Sequence, residues 1–157
     1  MKKILSLVTA IGFLGLGATA NAEGFFNANE LSLTTYGTYV DRQEDSWGGG
    51  VGLSYFVTRH IGLGATTHWE NFSGSFIDNA AGELYLRLPL GDLPIAPYGI
   101  GSAGYNWERD AWFFGLGGGV EVRLNESIGI FGDVQYLLNE GGYKDGVGIR
   151  AGFRFNM

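Results

Sequence analysis

Apolar residues recur at every second position through most of this sequence. The final stretch, 146–157, carries the pattern most clearly: Val147, Ile149, Ala151, Phe153, Phe155 and Met157 alternate with Gly148, Arg150, Gly152, Arg154 and Asn156. A period of two places alternate residues on opposite faces of a β-strand. An ordinary soluble strand turns its apolar face to a core and its polar face to water. Here the polar face is largely glycine with two arginines, and the apolar face ends in large aromatics. That distribution suits a strand of a membrane barrel, with apolar groups toward lipid and small or charged groups toward a narrow lumen.

The same reading predicts seven further strands. Residues 31–40 alternate weakly. Residues 47–57 set Val51, Leu53, Tyr55 and Val57 against Gly50, Gly52, Ser54 and Phe56. Residues 61–70 set Ile61, Leu63, Ala65, Thr67 and Trp69 against Gly62, Gly64, Thr66, His68 and Glu70. In 80–90, Leu84, Leu86, Leu88 and Leu90 oppose Glu83, Tyr85, Arg87 and Pro89. Residues 95–107 are glycine-rich and their facing is ambiguous. Residues 111–124 and 128–138 complete the set, with Glu121, Arg123 and Asp133 on their polar faces. Eight strands of this length match what a tilted strand needs to cross a bilayer. The fold class is therefore an all-β, eight-stranded antiparallel up-and-down barrel, and an even count returns both chain ends to one side.

The connections fall into two classes. Thr58-Arg59-His60, Gly91 to Pro94 and Asn125-Glu126-Ser127 are tight, and each precedes an isoleucine. The stretches 41–46, 71–79, 108–110 and 139–145 are mostly longer and mostly acidic. Membrane barrels have short turns on one side and longer loops on the other. All four tryptophans, Trp47, Trp69, Trp107 and Trp112, lie beside the second class. They form one aromatic girdle, and Tyr55, Phe153 and Phe155 supply one at the opposite end. Tryptophans that merely filled a soluble core would not fall on one side.

The N-terminus changes the picture of where the chain goes. Lys2 and Lys3, an apolar run over 4–16 and Ala20-Asn21-Ala22 make a secretory signal peptide over 1–22, leaving 23–157 as the barrel domain. The stretch is too short for a membrane anchor. There is no cysteine, which excludes a disulfide scaffold and a lipid-anchored lipoprotein. No later stretch is a membrane helix, so membrane insertion requires a closed barrel, which leaves no strand edge in lipid. The 28 glycines suit that better than a helical domain. Removing Lys2 and Lys3 from the 10 basic residues leaves 8 against 16 acidic ones. A nucleic-acid partner does not fit that balance.

The stretches GGGVGLSYFVTRHIGLGA and FFGLGGGVEVRLNESIGI resemble hairpins of the small eight-stranded outer-membrane barrels. These include the outer membrane protein A transmembrane domain, outer membrane protein X and the opacity-type, porin-family-like proteins. The resemblance covers essentially all of 23–157. The final strand is similar to the C-terminal assembly signal of such barrels, with Phe153, Phe155 and Met157 as its residues, although it closes on Asn156-Met157 instead of an aromatic. The resemblance implies insertion in the bacterial outer membrane with both termini periplasmic, and the barrel-assembly machinery, outer-membrane lipid and lipopolysaccharide as partners of a monomer. No peptidoglycan-binding domain is expected after Met157.

Candidate chemistry lies on the inward positions. Glu70, Glu83, Glu121 and Asp133 meet Arg87, Arg123, Arg150 and Arg154, with His68 among them. An eight-stranded barrel is just wide enough to be filled by side chains. Charges inside it must pair, because an unpaired buried charge costs several kcal/mol. A salt-bridged plug, a conducting constellation and a catalytic one are the alternatives. Counting from the strand ends puts Glu83, Asp133, His68 and Arg150 in a mid-barrel layer, with Asp133 and Arg150 as a direct pair. Arg87, Glu121 and Arg154 then form a lower layer.

Some barrels of this kind modify lipid A, and the deacylase type uses a histidine two residues from a serine. Neither His60 nor His68 has that serine. No metal spacing or phosphate loop is present, so no catalytic residue, metal or cofactor is expected. The connecting loops carry Asp41, Glu44, Asp45, Asp78, Glu108, Asp110, Glu140 and Asp145 against Arg42, Arg109 and Lys144. They read as a solvated rim compatible with a divalent-cation-bridged lipopolysaccharide layer. The favoured reading is a non-enzymatic envelope component with a largely closed lumen. A small pore and a lipid-modifying enzyme remain the alternatives.

Overall fold

A computed structural model of the protein describes residues 24–42, 45–70, 77–140 and 144–157. The expected signal segment 1–22, most of 71–79 and parts of 41–46 and 139–145 lie outside the described residues. Eight strands follow in order: β1 Glu30–Asp41, β2 Ser46–Phe56, β3 Ile61–Glu70, β4 Asn79–Arg87, β5 Ile95–Asn106, β6 Ala111–Arg123, β7 Ile128–Asn139 and β8 Gly146–Asn156. Each pairs antiparallel with its neighbours, and β8 pairs with β1 to close the barrel. Closure removes every strand edge.

The register fixes the shape. From Leu31 the paired residues run through Tyr55, Leu63, Leu84, Gly101, Leu116, Tyr136 and Val147, and return to β1 at Asp41. One circuit thus advances ten residues along β1, from 31 to 41. A stagger of this kind tilts the strands by about 35–45° to the barrel axis. Alternation then sorts the side chains. Leu53, Leu63, Leu86, Leu116 and Phe153 stand exposed on the outer wall, while Glu83, Arg87, Glu121, Asp133 and Arg154 are buried inside.

Most strand ends lie within a residue of the sequence expectation; β4 departs further, and β5 gains a facing. The fourth strand stops at Arg87 instead of residue 90. Pro89 has no N–H to give, although Leu88 and Leu90 still donate to the Pro97 and Ile95 carbonyls at 2.8 and 3.2 Å. The fifth strand, ambiguous in sequence, turns Ala96, Tyr98, Ile100 and Asn106 inward. Its outward positions include Gly99, Gly101 and Ala103, too small to mark a face.

Local chemistry closes the turns. Thr58 Oγ1 accepts from the His60 and Ile61 N–H groups at 3.1 and 2.9 Å. Asn125 Oδ1 does the same for Ser127 and Ile128 at 2.9 and 2.8 Å. Such side-chain bonds mimic a backbone turn. Gly91 takes a φ of 59° in the β4–β5 turn. With β4 shortened, that connection spans 88–94 and exceeds 107–110 on the opposite side. Length therefore does not separate the two ends, whereas the tryptophans do. Trp47, Trp107 and Trp112 are exposed at the loop end, packed on Tyr39 or Tyr105 at 4.7 to 6.1 Å, and Trp69 is half-exposed beside them. Tyr55, Phe153 and Phe155 are exposed toward the turn end.

Candidate functional site

The site is the lumen, and its polar side chains stack in three tiers. The tier nearest the turns is built on Arg87, Arg123 and Arg154. Arg87 Nη1 donates to Glu30 Oε1 at 3.0 Å, and its Nε donates to the Arg59 carbonyl at 3.1 Å. Arg123 Nη2 reaches the same Glu30 oxygen at 2.5 Å, and its Nε reaches Glu121 Oε1 at 2.5 Å. Arg154 Nη1 donates to Glu121 Oε2. The five groups form one chain: Arg87, Glu30, Arg123, Glu121, Arg154.

Aromatic rings pack around this chain. The Arg87 guanidinium lies 3.7 Å from the Phe56 ring centre. That of Arg154 lies 5.2 to 5.8 Å from the rings of Phe56, Tyr85, Tyr98 and Phe131. Nε and Nη2 of Arg154 are buried without an acceptor. The ring faces stand in for one, since each attracts a cation by about 0.5–2 kcal/mol. Phe56, Tyr85, Tyr98 and Ile100 form the buried apolar cluster of the interior.

The middle tier centres on Arg150. Its Nε and Nη2 grip Asp133 Oδ1 and Oδ2 at 2.9 and 3.0 Å, and its Nη1 reaches Glu83 Oε1 at 2.6 Å. The two-point grip matches the fork of the guanidinium to the carboxylate. Tyr98 donates to Asp133 Oδ2 at 2.8 Å, Tyr85 donates to Glu83, and Thr66 donates to Glu83 Oε1 at 3.2 Å. The buried carboxylates thus have hydroxyl donors as well as the cation.

The third tier lies at the loop end around Glu70. Arg42 and Arg109 reach its two oxygens at 3.2 and 2.6 Å, and Ser46 donates at 3.2 Å. The Glu70 N–H donates to Asp78 at 2.7 Å. Between this tier and the middle one lies a cavity of about 50 Å³, lined by Thr66, Asn79, Ser102, Asn106 and Gln135 among others. That is room for a few waters.

His68 does not join the middle layer with Glu83, Asp133 and Arg150. Its Nε2 lies 3.7 Å from Glu70, because β3 is paired there with Gly50 and Asn79, at the level of the cavity. Counting along a strand ignored the tilt. Arg42, Arg109 and Asp78, expected on a solvated rim, turn into the lumen instead, and Asp78 is buried. Glu30 was also missed, although it extends the inward series Ser32, Thr34, Tyr36 and Thr38 by one step. Phe26 had no periodic signal at all. Among the described residues the turn-side and middle tiers hold four arginines and four carboxylates, with Glu30 as the fourth acid; Glu70 is inward as expected but pairs at the loop end.

The chemical options follow. Among the described residues no group of three or more His, Asp or Glu side chains could hold a metal. His60 Nδ1 lies 3.1 Å from the Arg87 carbonyl in the β2–β3 turn.

A family model described as the outer membrane protein beta-barrel domain matches residues 6–155. No curated protein matches the sequence at a significant level. Among solved structures, the chain is similar to Neisserial surface protein A at 9% identity and a TM-score of 0.57, covering 82% of this chain and 96% of that one. It is similar to the N-terminal β-barrel domain of Pseudomonas aeruginosa OprF at 15% identity and a TM-score of 0.54, covering 82% and 99%. A structure from the de novo design of transmembrane β-barrels matches at 17% identity and a TM-score of 0.56, covering 83% and 97%. At such identities the likeness is one of fold.

Proposed function

The chain belongs to the outer membrane protein β-barrel domain family, whose place is the bacterial outer membrane, and on that premise we propose that it is a non-enzymatic structural component of the envelope with a closed lumen. One observation carries the reading. In the turn-side half, Arg87, Arg123 and Arg154 are at most 3% exposed and are bridged by carboxylates between aromatic rings. A path for hydrated ions would have to break several buried pairs at once, each at a cost of several kcal/mol. The outer wall supports the rest of the reading, since leucines, valines, isoleucines and aromatics stand exposed along it, with alanine and glycine between them.

On this reading residues 1–22 export the chain, both termini are periplasmic, and the loop end faces outward. The lasting partners are outer-membrane lipid and lipopolysaccharide, met as a monomer after insertion by the assembly machinery. Single-channel recording on refolded protein tests it. The expected result is no stable conductance. A large, steady conductance would overturn the closed lumen and establish the small-pore alternative.

A further inference from the structure

The turn-side mouth is stopped by the chain's own lead-in. Residues 24–29 precede β1, and Asn27, Ala28 and Asn29 are exposed, yet Phe26 is only 2% exposed. Its ring lies 4.8 Å from the guanidinium carbon of Arg87 and 4.8 Å from that of Arg123. The Asn27 carbonyl accepts from Arg87 Nη2 at 3.2 Å. Asn29 makes the bend into β1 with a φ of 58°, a left-handed conformation that asparagine tolerates better than most residues. Its Oδ1 accepts from the Tyr55 hydroxyl at 2.9 Å. One ring, one carbonyl and one surface hydrogen bond thus hold the segment down.

What lies beneath it is electrostatically incomplete. Among the described residues the turn-side tier has three arginines against two glutamates, whereas the middle tier has one arginine against two carboxylates. Arg123 Nη1 is buried without an acceptor. The Phe26 ring offers both guanidinium groups its electron-rich face but no formal charge. The Asn27 carbonyl supplies a single neutral acceptor.

We propose that residues 24–29 are a reversible stopper seated on an anion-binding mouth: Phe26 and the Asn27 carbonyl occupy the place where a small oxyanion, such as a phosphate or carboxylate group, would meet Arg87 and Arg123. With the stopper seated the mouth is dry and closed. With it withdrawn, the excess positive charge of the tier faces the opening.

The test uses refolded full chain in detergent, with heat-modifiable gel migration confirming a closed barrel for every variant. Inorganic phosphate is the probe. Phe26→Ala should bind phosphate about tenfold more tightly than the unmodified protein, the equivalent of one lost cation–π contact. Phe26→Leu, which retains bulk but lacks the ring, should gain in the same direction and serves if the alanine variant does not fold. Phe26→Tyr should behave as the unmodified protein does. The chain has no cysteine, so a spin label on Ala28→Cys reports the segment alone. Saturating phosphate should raise its mobility. Equal phosphate affinity across the unmodified, leucine and alanine proteins, or a label that phosphate does not move, would overturn the stopper. Conductance on the same samples tests the closed lumen separately, because the label reports seating whether or not the barrel conducts.

Discussion

The two halves of the lumen solve one problem differently. Both must hold charged side chains inside a tube too narrow for bulk water. In the turn-side half the pairs are dry: Arg123 and Glu121 are fully buried on their side chains, and aromatic rings fill the remaining space. In the loop-side half, Glu70 is met by Arg42 and Arg109, which stay 12% and 23% exposed beside a cavity with room for water. Pair geometry is equally good in both. The difference lies in what replaces a lost partner: nothing in the first half, solvent in the second. Equal bonds on paper should therefore carry very unequal free energies.

Removing Glu121 is the strongest way to break that contrast. Glu121→Leu strands Arg154 and leaves Arg123 with Glu30 alone, and should destabilise the barrel by about 5 kcal/mol in urea unfolding in lipid. A loss below about 1 kcal/mol would mean that water reaches this tier. The middle tier comes next. Arg150→Leu and Asp133→Leu should each cost about 3 kcal/mol, and the double change less than their sum. Strictly additive losses would show that the two-point grip is not an energetic unit.

Glu70→Gln tests the wetter half. It keeps the shape and releases two partly solvated cations, so a loss of about 1 kcal/mol is expected. A loss matching that of Glu121→Leu would erase the distinction between the halves. The smallest effect belongs to His68→Ala. Its contact with Glu70 is long at 3.7 Å, and the change should stay within about 0.5 kcal/mol. If that variant assembled normally but cells lost a lipid A modification, the non-enzymatic reading would fail instead.

The walls of this molecule were legible in its sequence and the contents of its lumen only partly. A period of two survives wherever one face meets lipid and the other does not, so β2, β3, β6 and β8 could be placed with their facing. It fails in β5, where glycine and alanine on the outer face carry no contrast. Which charges meet is a different kind of information. Glu30 is far from Arg87 and Arg123 along the chain and touches both, because the circuit of the barrel brings β1 opposite β4 and β6. No local pattern encodes that. Arg42 and Arg109 were hidden for another reason: a loop arginine has the reach to fold back into the mouth, and its position in a polar stretch does not reveal that it does so.

The bridges also bear on how the barrel comes together. Few of them join neighbouring strands. Arg154 on β8 is held by Glu121 on β6, Arg150 on β8 by Glu83 on β4, and Glu30 on β1 by Arg87 and Arg123 on β4 and β6. Until β8 docks on β1, Arg150 and Arg154 lack their fixed places, and the carboxylates they neutralise remain open to water. A half-built sheet cannot dry its inner face without stranding charge there. The bridges thus act as a latch on ring closure, making the last strand's arrival the moment at which the interior can expel water. Assembly should then be cooperative around the seam, with partly closed intermediates short-lived.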